Sequence, residues 1–241
     1  MNRYEEGDHI YLFGFSRGAF TVRSLAGMLH KCGLLGRDDA NLIEYASKIY
    51  NTPNNNEVAV GFKRTFSRSC PVHFIGVWDT VDSRLMNAGK KWADATLNPE
   101  VTFAYHAVSI DEKRKDFPPC LWKEENVNDD QTLEQVWFAG VHCDVGGWYE
   151  ERGLSNTALI WMLSKAIACG IKLDSASLKL QDARCDPGTD IHKSYEGFWK
   201  FRGSRTRKIP QAARIHRSVE TKIGLGKYKP KNLPDDPNFV D

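Results

Sequence analysis

Apolar positions along the chain form short continuous runs that alternate with stripes at helical spacing. Residues 9–15, HIYLFGF, are an aromatic and β-branched run that ends at a turn of small residues, which is typical of a buried strand. Two similar runs, at 72–78 and 135–141, predict two further strands. Apolar residues three and four apart follow the first run as far as Gly33 and begin again near Ser155, and this spacing predicts a helix in each place.

One further helix is predicted from residue 98 to residue 108. Asn98 suits an N-cap and Pro99 the first helical position, and apolar residues follow them. The apolar residues between 90 and 119 fit a lid and ordinary helix packing equally well. The polar stretch at 51–56 is predicted to be a loop.

The order strand, helix, strand, helix, strand, helix predicts an α/β fold. Right-handed crossovers then give a mainly parallel sheet with helices on both faces. The length of 241 residues fits a single domain, 1–241. Its core is expected at about 7–170, and a basic, more irregular part follows at 171–241.

Several classes of protein are excluded by composition. No run of about 18 apolar residues is present, so no membrane-spanning helix is predicted. Six scattered cysteines without a C-x-x-C pair indicate reduced, individually placed thiols rather than a disulfide framework. The charged N-terminus has no apolar leader segment, so the expected location is the cytoplasm, or the exterior after secretion without a cleaved signal.

The net charge is only +2, but positive charge is concentrated near the end of the chain. Residues 200–231 contain eleven Lys or Arg and one acid, Glu220. Such a segment fits peripheral contact with an anionic membrane, and it also fits a solvated face balanced by acids elsewhere, which we favour. Because aromatic residues are few there beyond Phe201 and Tyr228, no nucleic-acid partner is expected.

The strongest chemical signal is the pentapeptide Gly14-Phe15-Ser16-Arg17-Gly18. This is a G-x-S-x-G pattern at the predicted junction between a strand and a helix. In this context a serine is exposed as a nucleophile. Gly14 and Gly18 let the sharp turn close. The main-chain N–H of Arg17 is the predicted oxyanion-hole donor.

A nucleophilic serine needs a base and an acid, which in this type of fold follow it in the order acid, then histidine. Asp79 ends the second predicted strand and His142 ends the third, so both are expected at the sheet edge that carries Ser16. His142 would take the Ser16 proton, and Asp79 would orient the imidazole.

Other residues compete for these two roles. Asp82 and Asp144 lie close to the preferred acid positions, and His192 and His216 remain open as bases. His9 precedes the serine and breaks the order, while His73 inside a strand and His106 inside the predicted helix fit packed histidines better. No cofactor or metal site is predicted. His142, Cys143 and Asp144 are ligand types, but neighbours on a strand point to opposite faces.

Several long segments resemble one α/β-hydrolase family, that of the catalytic domains of type VI secretion phospholipase effectors, also catalogued as a domain of unknown function. They are GDHIYLFGFSRGAFTVRSLAGML, PVHFIGVWDTVDS, HAVSIDEKRKDFPPCLW and VWFAGVHCDVGGWYEERGLSNTALIWM. Later segments, IHKSYEGFW and IHRSVETKIGLGKYKPKNLP, are similar to it as well. The resemblance implies an α/β-hydrolase fold, cleavage of acyl esters including phospholipids, and a triad on Ser16, Asp79 and His142.

The resemblance departs from the family at the start of the chain. Members carry a first strand with an Asp-Gly-Thr sequence before the strand that leads into the nucleophilic serine. Here the chain opens almost at that second strand, whose sharp turn at Ser16 we call the elbow. An N-terminally truncated sheet is therefore expected, with a missing segment or partner chain supplying the second oxyanion donor. The alternative function is a non-catalytic or fragmentary binding domain with an incomplete oxyanion hole.

Overall fold

The computed structural model describes residues 4–81, 96–182, 184–226 and 228–241. Its first part opens with an elbow strand and a long helix, followed by a small helical layer closed by a two-stranded antiparallel pair. The elements are β1 (Ile10–Phe15), α1 (Arg17–Cys32), β2 (Leu34–Leu35), α2 (Ile43–Asn51), α3 (Asn56–Phe66) and β3 (Ser67–Arg68).

The remaining elements build most of the sheet and the helices that cover it. They are β4 (Val72–Trp78), β5 (Val101–Ser109), β6 (Thr132–Phe138), α4 (His142–Gly146), α5 (Gly153–Ala168), α6 (Ser175–Asp182), β7 (Arg214–His216), α7 (Arg217–Gly224) and β8 (Asn238–Val240).

Six strands form one sheet in the order β1-β4-β5-β6-β7-β8, and every neighbouring pair is parallel. All of their carboxyl ends therefore lie at one edge. The elbow after β1 and the loops after β4, β5 and β6 meet at this edge, which is where open α/β sheets place their sites.

Helices cover both faces of the sheet. Ala19 and Ala26 of α1 pack on one face with Ile75 and Val77 of β4. On the other face, α5 packs against side chains of β4, β5 and β6, namely Phe74, Tyr105, Ala107, Val136 and Phe138. Small residues on α1 let the helix approach the strands closely, whereas α5 fills the opposite face with Trp161 and Met162. The predicted α/β fold, a mainly parallel sheet with helices on both faces, is confirmed.

The helix predicted over 98–108 is wrong, because this segment is β5, an inner strand of the sheet. Most of its side chains are buried, so its apolar residues do not alternate and their periodicity alone does not separate a strand from a helix. The part of the suggested lid from 101 to 109 is likewise sheet, and its residues 90–95 lie outside the described residues.

The sheet also extends beyond the predicted core. β7 and β8, three residues each, come from the segment after residue 170, which was expected to be more irregular. The third strand ends at Phe138, earlier than predicted, and His142 is the first residue of the short helix α4 instead of a strand end.

No helix in the described ranges is long and apolar enough to cross a lipid bilayer. The six cysteines are free thiols, two of them buried and four partly buried.

Candidate active site

Ser16 occupies a strained elbow between β1 and α1. Its backbone has φ 57° and ψ −120°, a conformation that residues other than glycine rarely adopt. The turn is fixed from both sides, because the Ser16 N–H donates to the carbonyl of Trp78 and the Ser16 carbonyl accepts from the N–H of Phe20. Strain of this kind persists only where the surroundings impose it, and it is frequent at functional sites.

The two glycines of the motif have different roles. A Cβ atom on Gly14 would lie 2.5 Å from the carbonyl oxygen of Gly18, so the strand and the helix can approach only because Gly14 lacks a side chain. A Cβ on Gly18 would meet nothing within 4 Å apart from its own helix. The steric requirement of the elbow therefore falls on Gly14.

Substituting Gly14 by alanine is expected to destabilise the fold by about 1–3 kcal/mol, because the added methyl group overlaps main-chain atoms that cannot rotate away. Gly18→Ala adds the same methyl group in open space on a helix, where alanine is favoured over glycine, so it is expected to be neutral or slightly stabilising. Urea unfolding of the two variants measures the difference. Equal losses of stability would contradict this account of the elbow.

Ser16, His142 and Asp79 form a continuous chain of hydrogen bonds. The Oγ atom of Ser16 lies 2.8 Å from Nε2 of His142, and Nδ1 of the same ring lies 2.6 Å from Oδ2 of Asp79. Asp79 and His142 are buried, whereas Ser16 is only partly buried. The serine hydroxyl thus stands at the open end of the chain and the carboxylate at its closed end.

The carboxylate of Asp79 is held by more than the histidine. Ser109, the last residue of β5, donates its N–H to Oδ1 at 2.9 Å and its hydroxyl to Oδ2 at 3.1 Å. Arg207 binds in a two-pronged manner, with Nη1 2.5 Å from Oδ1 and Nη2 3.0 Å from Oδ2. Burial alone raises the pKa of the Asp79 carboxyl, but Arg207 and the hydrogen bond from His142 outweigh burial and hold that pKa far below its usual range.

His142 is fixed through its main chain as well as its ring. Its N–H donates to Oε2 of Glu112, a buried carboxylate that is also ion-paired with Arg114. The ring packs between Phe15 and Phe117, with centroids 4.6 Å and 5.1 Å away. The imidazole is therefore packed against two aromatic rings and hydrogen-bonded at both of its nitrogen atoms.

The loop that carries His142 is closed by a neighbouring carboxylate. Oδ2 of Asp144 accepts the N–H of Val141, and Oδ1 of the same group lies 2.6 Å from Nδ1 of His192. Gly146 completes the packing, since a Cβ there would lie 2.0 Å from the Phe15 ring. Asp144, a rival for the acid role, therefore contacts a histidine other than His142.

The structure brings none of the rival histidines to Ser16. His192 is paired with Asp144, His9 stacks on His73, and His216 accepts the N–H of Ser218 at the start of α7. His106 lies on a strand rather than in the predicted helix, where its Nε2 accepts the N–H of Thr80, and burial lowers its pKa to about 3. Asp82, a rival acid, lies outside the described residues.

Arg17 is the first residue of α1, directly after Ser16. The helix dipole places positive potential at the first turn of a helix, where main-chain N–H groups are directed towards the N-terminus. The position of Arg17 therefore suits the donor role predicted for it.

The basic segment 200–231 does not present all of its charge to one surface. Five of its eleven basic residues are engaged within the described part of the chain. These are Arg202 with Asp116, Arg207 with Asp79, Arg214 with Glu124, Arg217 with Asp241 and Glu220, and the buried Lys222 with two main-chain carbonyls.

In the described ranges, no group of three or more His, Cys, Asp or Glu side chains is arranged to hold a metal ion. His142, Cys143 and Asp144 lie on the helix α4, so the strand argument used to separate them does not apply. His142 and Asp144 bind Asp79 and His192 instead.

Analysis of the sequence missed three residues that support the site, namely Ser109, Glu112 and Arg207. Ser109 ends a strand that was predicted to be a helix, and the position of Glu112 just beyond that strand was hidden for the same reason. Arg207 lies 128 residues from Asp79 in a segment rich in basic residues, where nothing local separates a buried arginine from exposed ones.

Comparison with known proteins gives relatives for most of the chain. An uncharacterized protein of Saccharomyces cerevisiae, YEL023C, is 38% identical over 129 residues, which are 48% of this chain and 19% of that protein. A crystal structure of an uncharacterized Pseudomonas aeruginosa protein covers 73% of the chain at 22% identity and TM-score 0.45. The Tle1 effector bound to the VgrG spike of the type VI secretion system covers 59% at 19% identity and TM-score 0.34.

The chain spans about a fifth of the length of the yeast relative and about a quarter of each of the two solved chains. A family model described as the catalytic domain of the Tle1-like phospholipase effectors of the type VI secretion system matches residues 1–165. This match includes the elbow, Asp79 and His142, and it covers more than half of the chain. The chain therefore belongs to the family of Tle1-like phospholipase effector catalytic domains.

Proposed function

We propose that this chain is a serine hydrolase that cleaves the carboxylic ester bonds of phospholipids. The observation that carries the proposal is the hydrogen-bonded chain from Ser16 through His142 to Asp79, built on a strained elbow at the carboxyl edge of the sheet. Membership of a family of phospholipase effectors supports the class of substrate.

In the proposed reaction, the Oγ atom of Ser16 attacks the ester carbonyl while Nε2 of His142 accepts the hydroxyl proton. The negative charge that develops on the carbonyl oxygen is stabilised by the Arg17 N–H at the start of α1. His142 then returns the proton to the departing alcohol, which leaves an acyl group on Ser16. A water molecule, activated by the same imidazole, releases the acid and restores the hydroxyl.

Asp79 supports these steps without taking up a proton. Its depressed pKa keeps the carboxylate charged, so it fixes the Nδ1–H tautomer of His142 and stabilises the imidazolium that forms. The positive charge of Arg207 partly offsets the negative charge of Asp79, but its two hydrogen bonds keep the carboxylate in one orientation. Arg207 thus weakens the electrostatic stabilisation of the imidazolium by Asp79, but it fixes the geometry of the carboxylate.

A fluorophosphonate probe, which reacts with activated serines, tests the proposal directly. The wild-type chain is expected to be labelled and the Ser16→Ala variant is not. Ser155 offers a matched control, because it also lies near a helix N-terminus but its hydroxyl donates to the carbonyl of Arg152. Ser155→Ala is expected to label like the wild type, whereas equal labelling of Ser16→Ala would refute the proposal.

Peripheral contact of residues 200–231 with an anionic membrane stays a prediction, and the internal ion pairs reduce the charge available for it. The short helical turn Gly197–Arg202 overlaps the start of this segment and suits a lipid surface best, because Phe198 and Phe201 are 68% and 89% exposed. Co-sedimentation with anionic and with neutral vesicles measures this contact, and binding that is the same with both, or independent of salt, would argue against it.

A further inference from the structure

A cleft of about 630 Å³ opens beside the loop that leads to His142, and the proposed reaction does not use it. Its walls are the segment after β5, the segment 191–196 and the segment 228–232, and Val141, the neighbour of His142, also borders it. Its size lies in the range of small-molecule sites, which is about 300–1,000 Å³. The cleft is therefore large enough for a polar group with several heavy atoms.

Lysines dominate the lining of this cleft. Five of them border it, and all five are exposed and form no ion pair with any carboxylate in the described part of the chain. They come from four separate stretches of sequence, so folding collects them: Lys113, Lys193, Lys200, Lys229 and Lys231. We call this space the lysine cleft.

The acids that line the lysine cleft are fewer than its lysines, and one of them has a cationic partner of its own. Oδ2 of Asp111 accepts the N–H of Gly140 and the hydroxyl of Tyr228. Glu112 is ion-paired with Arg114 and accepts the hydroxyl of Ser194. Asp111 has only neutral hydrogen-bond donors and keeps its charge, so Asp111 and the exposed Glu196 oppose the five lysines. The charge that the cleft presents to a ligand is therefore positive.

We infer that the lysine cleft binds a phosphate group. Ammonium groups are compact charges that bind phosphate oxygens, and five lysines from separate segments border this one cleft. Two sources share this chemistry, the phosphate of a glycerolipid headgroup and a free phosphate. Binding itself does not depend on Ser16, so this inference stands apart from the proposed hydrolysis.

The cleft lies beside the loop that carries His142. Asp111 and Glu112 border it, and their carboxylates accept the N–H groups of Gly140 and His142. A phosphate held by the lysines therefore lies next to the groups that hold the histidine.

Titration calorimetry of the full-length Ser16→Ala chain with inorganic phosphate and with sn-glycerol 3-phosphate tests the inference. Saturable binding that weakens as ionic strength rises is expected. The double variant Lys193→Gln, Lys231→Gln in the same background is expected to raise the Kd by about five- to tenfold, because two charge contacts are lost. Lys172→Gln, Lys179→Gln, which removes the same charge from exposed positions outside the cleft, is expected to change the Kd by about twofold or less.

Either phosphate binding in this pattern supports the inference, and tighter binding of glycerol 3-phosphate assigns the cleft to a lipid headgroup. Absence of saturable binding by both compounds would overturn it, as would equal weakening by the two double variants. Since the nucleophile is absent throughout, failure of this experiment leaves the proposed hydrolysis untouched, and failure of probe labelling leaves the phosphate site untouched.

Discussion

Replacing His142 by glutamine is expected to lower kcat for the proposed ester hydrolysis by about 10⁴- to 10⁶-fold, as the loss of a triad base does in serine hydrolases. An amide cannot take the proton of Ser16. It can still donate to Asp79 and occupy most of the space between Phe15 and Phe117. The free energy of unfolding is therefore expected to change by about 1.5 kcal/mol or less.

The chain contains a matched control for this variant. Nδ1 of His192 lies 2.6 Å from a buried aspartate, the same distance that separates His142 from Asp79, but its partner is Asp144 and it does not contact Ser16. His192→Gln is expected to keep most of the activity. Rates on a soluble short-chain ester and urea unfolding of both variants provide the measurements. If His192→Gln lost as much activity as His142→Gln, the assignment of the base would be wrong.

Local pattern was enough to find the elbow and the residues at its sheet edge. The G-x-S-x-G sequence fixes a sharp turn within five residues, and Asp79 follows a strand that is plainly apolar. Parallel strands carry their carboxyl ends to one edge, so such residues converge without any knowledge of the strand order. His142 was placed near this edge for the same reason, although it begins a helix instead of ending a strand.

The segment 98–108 shows where local pattern fails. Asn98 and Pro99 match the start of a helix, and this signal outweighed the β-branched and aromatic residues that follow. Buried strands of parallel sheets lose the alternation that would identify them, because both of their faces are covered. The short strands β7 and β8 were missed because three residues are too few to show a hydrophobic pattern.

Arg207 could not be found from sequence because its role depends on contacts far along the chain. Analysis of composition placed it in a basic segment and favoured a solvated face, yet the side chain is buried against Asp79, Ser109 and the carbonyl of Phe117. It lies beyond residues 1–165, the part that the family model matches. The candidate site therefore includes residues from the C-terminal part of the chain.

Replacing Arg207 by methionine is expected to lower the free energy of unfolding at neutral pH by about 3–5 kcal/mol. Methionine fills much of the same volume but leaves the buried Asp79 carboxylate without its cationic partner, which is the costly way to break a buried ion pair. Urea unfolding measures the loss. Arg205→Met removes the same charge two residues away at an exposed position, and it is expected to change stability by about 0.5 kcal/mol or less.

The pH dependence of this loss separates the ion pair from simple packing. Because the pKa of Asp79 is depressed in the fold, its contribution is present above the unfolded value of about 4 and is lost as pH falls below that value towards the folded pKa. In Arg207→Met, the burial that raises this pKa is no longer opposed by the guanidinium, so the charged carboxylate contributes less and the variant loses less stability than the wild type below that value. The gap in stability between the two is thus expected to narrow below about pH 4, and a constant gap from pH 7 to pH 3 would mean that Arg207 stabilises the fold by packing alone.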